Sequence, residues 1–326
     1  MKPLDTLLNE LYENPEMPAQ ASLYHLSNLD RQDAARVREV WVCLPIVLRR
    51  QVITRLVELT EADFEVNFGE VFRLGLKDED AQVRTAAIEG LWEDEDVCLV
   101  PTLVNCLRED ENSTVRAAAA TSLGRFILLG ELGKIRPDPH VLSYESLLTA
   151  CQDEEEHLEV RRRALESVAY VSNEIVKKLI RKAYTAPEEK VHISAVFAMG
   201  RSADDSWAKQ VRQELFKPNP ELRHEAARAC GELQLRETVP ELEELADDAD
   251  PEVQEASLWA LGQIGGGEAR QILERYCTAK DEATRTAAEA ALDELEFLHR
   301  GPIRVLHQAP KKLQRGPEPV TSSFLP

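Results

Sequence analysis

Few residues in this 326-residue chain have the types and spacing that chemistry needs. The six cysteines are Cys43, Cys98, Cys106, Cys151, Cys230 and Cys277, with no CxxC pair and no Cys/His cluster at metal-ligand spacing. They read as reduced thiols packed like small apolar side chains, and a zinc site finds no ligands. One His-Glu dipeptide, His224-Glu225, sets an imidazole beside a carboxylate, but a metal centre needs several such groups to converge. Gly265-Gly266-Gly267 falls between two helical stretches and reads as a turn. No Ser/His/Asp constellation can be assigned. The remaining candidates suit holding better than reacting: Arg162, Arg163, Ile193, Phe197, His224, Arg228 and Trp259. Arginine and aromatic side chains are the usual anchors of protein interfaces. No catalytic residue, metal or cofactor is expected.

These candidates are placed by an internal repeat. A Val-Arg phrase followed by an Ala-rich run recurs as Val83-Arg84, Val115-Arg116, Val160-Arg161, Val191-His192, Leu222-Arg223, Val253-Gln254 and Thr284-Arg285. The second residues are spaced 32, 45, 31, 31, 31 and 31 apart, and Leu48-Arg49 is a degenerate earlier copy. With the Arg position as zero, positions −1, +3 and +7 hold large, small and large apolar residues; Val115, Ala119 and Leu123 are one such set. Steps of four place them on one helical face, and the small middle residue lets a second helix approach. Gly124, Gly200, Gly231 and Gly262 at +8 fit a helix end or a tight contact. An Asp or Asn four residues before the Arg position, as in Asn219-Pro220 and Asp250-Pro251, supplies a helix start. A second set of helices lies between these, for instance over Asn173 to Ala186. A pair this small cannot bury its apolar faces alone, so the pairs must stack. The reading is an all-α, right-handed solenoid of about eight helix pairs spanning 46–299.

Val83-Arg84-Thr85-Ala86-Ala87-Ile88-Glu89-Gly90-Leu91 and Val253-Gln254-Glu255-Ala256-Ser257-Leu258-Trp259-Ala260-Leu261-Gly262 show the phrase best. It resembles the HEAT-like repeats of the phycobilin-lyase type. The resemblance implies that Asp80, Arg84, Arg116, Arg161, Arg223, Asp281 and Arg285 form a ladder between neighbouring units, broken at His192 and Gln254. It also implies that the Ala-rich helices line the concave side. Deoxyhypusine hydroxylase is similar in repeat type and holds two irons with several His-Glu pairs; the single His224-Glu225 here disfavours that activity. Fold alone does not settle function.

On the implied concave side, positions +1, +2 and +5 are bland near the ends of the array, and the seven candidates cluster in its middle. The expected function is a non-catalytic scaffold or adaptor that grips a protein partner there, with Phe197 and Trp259 as apolar anchors. The alternative is a bilin lyase or isomerase-type subunit acting on a phycobiliprotein. Asp+Glu number 59 against 39 Lys+Arg, a net charge of −20, which argues against nucleic acid. No apolar run approaches a membrane span, and none of signal-peptide length follows Met1-Lys2-Pro3-Leu4-Asp5, so a cytoplasmic, membrane-free protein is expected. Residues 1–45 read as an atypical helical cap. The 45-residue interval implies an inserted, protruding loop within 126–143, marked by Pro137 and Pro139, and residues 300–326, with five prolines and one acid, read as a flexible basic tail.

Overall fold

A computed structural model of the chain describes residues 3–13 and 16–299, and among them the secondary structure is helical throughout. The expected tail at 300–326 lies outside the described residues. Two short elements, α1 (Pro3–Glu13) and α2 (Gln20–Leu23), cover the N-terminal end. Leu4, Leu7, Leu8 and Leu11 make one buried stripe on α1. Eight pairs follow: α3 (Arg31–Trp41) with α4 (Ile46–Ala62), α5 (Gly69–Gly75) with α6 (Ala81–Gly90), α7 (Val100–Glu109) with α8 (Ser113–Glu131), and α9 (Pro137–Gln152) with α10 (Leu158–Val168). The array continues with α11 (Glu174–Tyr184) and α12 (Glu189–Arg201), α13 (Ala208–Glu214) and α14 (Pro220–Glu232), α15 (Val239–Leu245) and α16 (Pro251–Ile264), and α17 (Gly266–Tyr276) and α18 (Glu282–His299). The first pair begins inside the 1–45 segment assigned to the cap, because Val37 and Trp41 of α3 are buried and the Trp41 indole N–H donates to Asp78 at 2.9 Å.

The even-numbered helices from α4 to α18 pack closely, each on the next, while the odd-numbered row makes fewer contacts along itself. Closer spacing along one row bends an array towards it, which makes the tight row the inner one, and its Ala-rich composition is the cause of the close spacing. Ala87, Ala119, Ala164, Ala195, Ala226 and Ala288 are fully buried, and the large residues on either side, such as Val115 and Leu123, fill the space around them. The repeated glycines act by close approach inside the helices. A Cβ on Gly124 would lie 3.0 Å from the Ser167 Cβ, and one on Gly200 would lie 2.9 Å from the Ala229 Cα.

The ladder is present in part. Arg84 grips Asp110 through two parallel bonds of 2.7 and 2.8 Å, Arg116 grips Glu156 at 3.0 and 2.8 Å, and Arg223 grips Asp248 at 2.8 and 2.7 Å. At the two irregular positions the contact changes rather than vanishes. His192 meets the buried Glu214 at 3.1 Å, and the Gln254 amide donates to the Asp248 carbonyl at 2.5 Å.

The inserted segment is a correction. No loop protrudes across 126–143: α8 runs on to Glu131, α9 starts at Pro137, and only a short turn separates them. The two prolines occupy the first turn of α9, where the missing N–H has no intrahelical partner to lose. The extra residues lengthen two helices, and the imidazole of His140 packs on Gly130 across the turn. The glycine turn is tighter than expected: Gly265, at φ +65°, is the one residue between α16 and α17, and Gly266, at φ +91°, already opens α17 together with Gly267.

Candidate binding groove on the inner helix row

Positions +1, +2 and +5 do not share one fate. Position +1 leans on the next repeat. Arg162 is 7% exposed; its Nε donates to the Lys190 carbonyl and to Ser194 Oγ, both at 2.9 Å, and its Nη1 to Glu159 at 2.6 Å. Ile193 is also buried. Both were expected on an open face, and both are held inside the stack. Arg163 is half-exposed but bonded to Glu159 and Glu166, each at 2.9 Å. Burial alone would lower its pKa; the two carboxylates outweigh that and raise it.

Towards the C-terminal end the remaining candidates stack on one another. The Arg228 guanidinium lies 3.9 Å from the centre of the Trp259 ring, whose far edge covers Gly231. Arg201 covers both Phe197, at 5.0 Å, and Tyr170, at 5.7 Å. Glu232 faces Arg201 at 3.4 Å, and burial holds its carboxyl above the ordinary range. His224 Nδ1 meets Glu225 at 3.5 Å, a contact that raises its pKa. Guanidinium groups over aromatic faces replace an open surface with a self-packed one.

The open part of the inner row lies in the N-terminal half, where the sequence looked bland. A groove of about 690 Å³ runs over α4, α6, α8 and α10. Its floor is made by Ala117, Ala118 and Thr121, residues too small to fill it. Trp92, 48% exposed, stands at its rim just past the end of α6. Glu61 and Glu89 form an acidic wall; desolvation within the groove, and then the like charge of Glu61, raise the pKa of Glu89. Arg125 also lines the groove. Its Nη1 donates to the carbonyls of Leu91, at 2.7 Å, and Trp92, while its Nε and Nη2 are buried without a partner. Burial lowers the Arg125 pKa. Ser122 Oγ, one helical turn away, is likewise buried and unpaired. Unmet buried donors are costly, and these atoms are closed to a ligand in the groove; the Arg125 guanidinium instead lies over the Phe126 ring at 4.8 Å.

Sequence reasoning therefore pointed along the inner row to the end where the chain packs on itself. The signal it passed over was the run of small residues in α8, since a groove is marked by side chains that are missing. Among the described residues no group of His, Cys, Asp and Glu could hold a metal ion, the cysteines are all free, and no helix is long and apolar enough to cross a membrane.

Residues 70–142 and 208–293 match the family model for HEAT repeats. No curated protein sequence matches the chain. Among solved structures, the chain is similar to human deoxyhypusine hydroxylase (19% identity, 90% of this chain and 96% of that one, TM-score 0.32). It is also similar to the CpcE–CpcF phycocyanin lyase complex of Nostoc sp. PCC7120 (18%, 70% and 94%, TM-score 0.46). A third likeness is to Kap95p bound to RanGDP (13%, 92% and 47%, TM-score 0.47), of which the chain spans about half. With the two matched stretches joined by helix pairs of the same kind, this chain is a solenoid built of HEAT-like repeats.

Proposed function

We propose that the protein is a non-catalytic scaffold whose inner groove over α4 to α10 holds a basic segment of a protein partner. The observation that carries this reading is the conjunction of an exposed Trp92 and an acidic wall around one open groove. An apolar side chain would lie on Trp92, and a Lys or Arg would face Glu61 and Glu89. The formal charge of −20 would steer such a segment inward and make its capture sensitive to salt. The role expected of Phe197 and Trp259 as partner anchors passes to Trp92, because those two rings are covered by arginines of their own chain.

The test is selection of a displayed peptide library on the folded protein. Enrichment of peptides with basic and apolar residues, weakened about tenfold or more by Trp92→Ala and left intact by Trp259→Ala in a folded variant, is the expected result. Peptides that ignore Trp92→Ala, or no enrichment at all, would remove the groove from consideration.

A further inference from the structure

The arginine ladder obeys an internal rule, and one rung breaks it. Arg49, Arg84, Arg116 and Arg223 each reach an acid five or six residues before the next ladder position: Asp78, Asp110, Glu156 and Asp248. Where the ladder residue is not arginine the acid is also missing: His192 is followed by Lys217-Pro218 and Gln254 by Ala279-Lys280. Arginine and acid thus come and go together, except at Arg161. The matching positions before His192 are Ala186 and Pro187. Arg84, Arg116 and Arg223 also each donate Nη1 to two carbonyls of their own preceding turn. Among the described residues the Arg161 side chain makes neither kind of contact.

In place of the missing acid there is a cavity of about 370 Å³ between α9, α10, α11 and the start of α12. Arg161 lines it beside Ala186 and Pro187, and the other walls are apolar, formed by Leu158, Leu165, Leu179 and Val191. The charged groups around it do not replace the rung. Arg162 is bound to Ser194 and Glu159, and Lys182 pairs with Glu154 at 2.9 Å. Cys151 also lines the cavity, but burial pushes its thiol up to about 12, so it offers no thiolate. Glu188 stands exposed at the mouth as an internal competitor, and Glu154, paired with Lys182, also feels the Arg161 charge.

We infer that this cavity binds a small carboxylic acid on a short apolar stem, whose carboxylate takes the place of the absent rung on Arg161. A guanidinium binds a carboxylate through two parallel bonds, as the intact rungs do, and the apolar walls take up the stem. The volume suits a small molecule. The site is separate from the inner groove, so either proposal can fail without the other.

The test is thermal denaturation and calorimetric titration of the full chain with butyrate, hexanoate and octanoate, using hexanamide as the uncharged control. Hexanoate should raise the melting temperature and hexanamide should not. Arg161→Gln should lower hexanoate affinity about tenfold or more. Ala186→Asp restores the rung from within, so it should raise the melting temperature without ligand and abolish the response to hexanoate. Glu188→Gln should strengthen binding. Equal responses to hexanoate and hexanamide, a response that survives Arg161→Gln, or no response to any of the three acids would each overturn the inference.

Discussion

The two halves of the inner row use one repeat phrase to opposite ends. On the open side of α6 and α8 stand the small Thr85, Ala117, Ala118 and Thr121 and the acidic Glu89, α10 adds Arg163, and the row encloses a groove with an exposed tryptophan at its rim. In α12, α14 and α16 the same side carries Phe197, Arg228 and Trp259, and the chain covers these rings with its own guanidinium groups. The buried columns hardly differ between the halves: Ala119 and Ala226 are both fully enclosed. The halves thus differ at a few positions outside the buried columns, and in the C-terminal half those positions join the packing. An anchor residue type serves a partner only where no neighbouring repeat claims it first.

The largest test of this contrast places a leucine in each half. A Cβ at position 231 would stand 2.7 Å from the Trp259 ring and 2.9 Å from the Ala260 Cα, so Gly231→Leu would drive a side chain into both. Overpacking of that kind is expected to cost about 3 kcal/mol. Thr121→Leu in the open groove should change stability by less than about 0.5 kcal/mol, because Thr121 is exposed. It should instead block peptides selected on the groove. Urea denaturation and peptide titration of both variants read the difference, and equal stability losses would dissolve it.

The next test removes bulk. Trp259→Ala strips a half-buried ring from between Arg228 and Gly231 and is expected to cost about 2–3 kcal/mol of stability with no effect on groove peptides. Trp92→Ala should cost under about 1 kcal/mol of stability and weaken those peptides about tenfold. If both variants lost stability alike and kept binding, the two rings would have the same role and the contrast would be wrong.

This contrast also marks what was legible in the sequence. The period, the inner face and most of the ladder followed from residue spacing, because burial in a stacked array repeats with the array. The site did not follow. A helical wheel gives the direction of a side chain but not the neighbour in that direction, and Arg162 and Ile193 point into the next repeat. Pro137 and Pro139 read as a loop because proline breaks helix interiors, yet here they start a helix. The groove was illegible for a simpler reason: Ala117, Ala118 and Thr121 carry no chemistry, and only the structure shows that nothing fills the space above them.

A smaller effect concerns acid. In the N-terminal half, Asp80 accepts from Arg50 Nε at 2.8 Å, and that bond, opposed in part by burial, lowers its pKa to about 2. In the C-terminal half Arg223 likewise lowers Asp248. For a carboxyl whose folded pKa lies below its unfolded value, the stabilisation is complete above about pH 4 and is lost as pH falls through the folded value. Asp80→Asn keeps the oxygen that caps Gln82 and Val83, and removes the charge together with the second oxygen that accepts from Arg50 Nη2. Because Arg50 is partly exposed, a loss on the order of 1–2 kcal/mol at neutral pH is expected. The loss should shrink as the pH approaches 2, and a constant one would show that the ion pair is not its cause.

The smallest effect has the opposite sign and is read in the self-packed half, although Glu89 in the groove is raised in the same sense. Glu232 is held by burial above the ordinary carboxyl range, so ionising it works against the fold. A raised carboxyl penalises the native state at neutral pH, and the penalty is relieved as pH falls from the folded value towards the unfolded one, about 4.3. Arg201 at 3.4 Å offsets part of it. Glu232→Gln should therefore raise stability at neutral pH by under about 1 kcal/mol, and the gain should fade on mild acidification. Urea titrations at several pH values would resolve it. A loss at neutral pH instead of a gain would mean that the ion pair with Arg201 outweighs the burial of the charge. The self-packed half would then be held by its charges as the ladder is, and only the N-terminal groove would carry acids that oppose the fold.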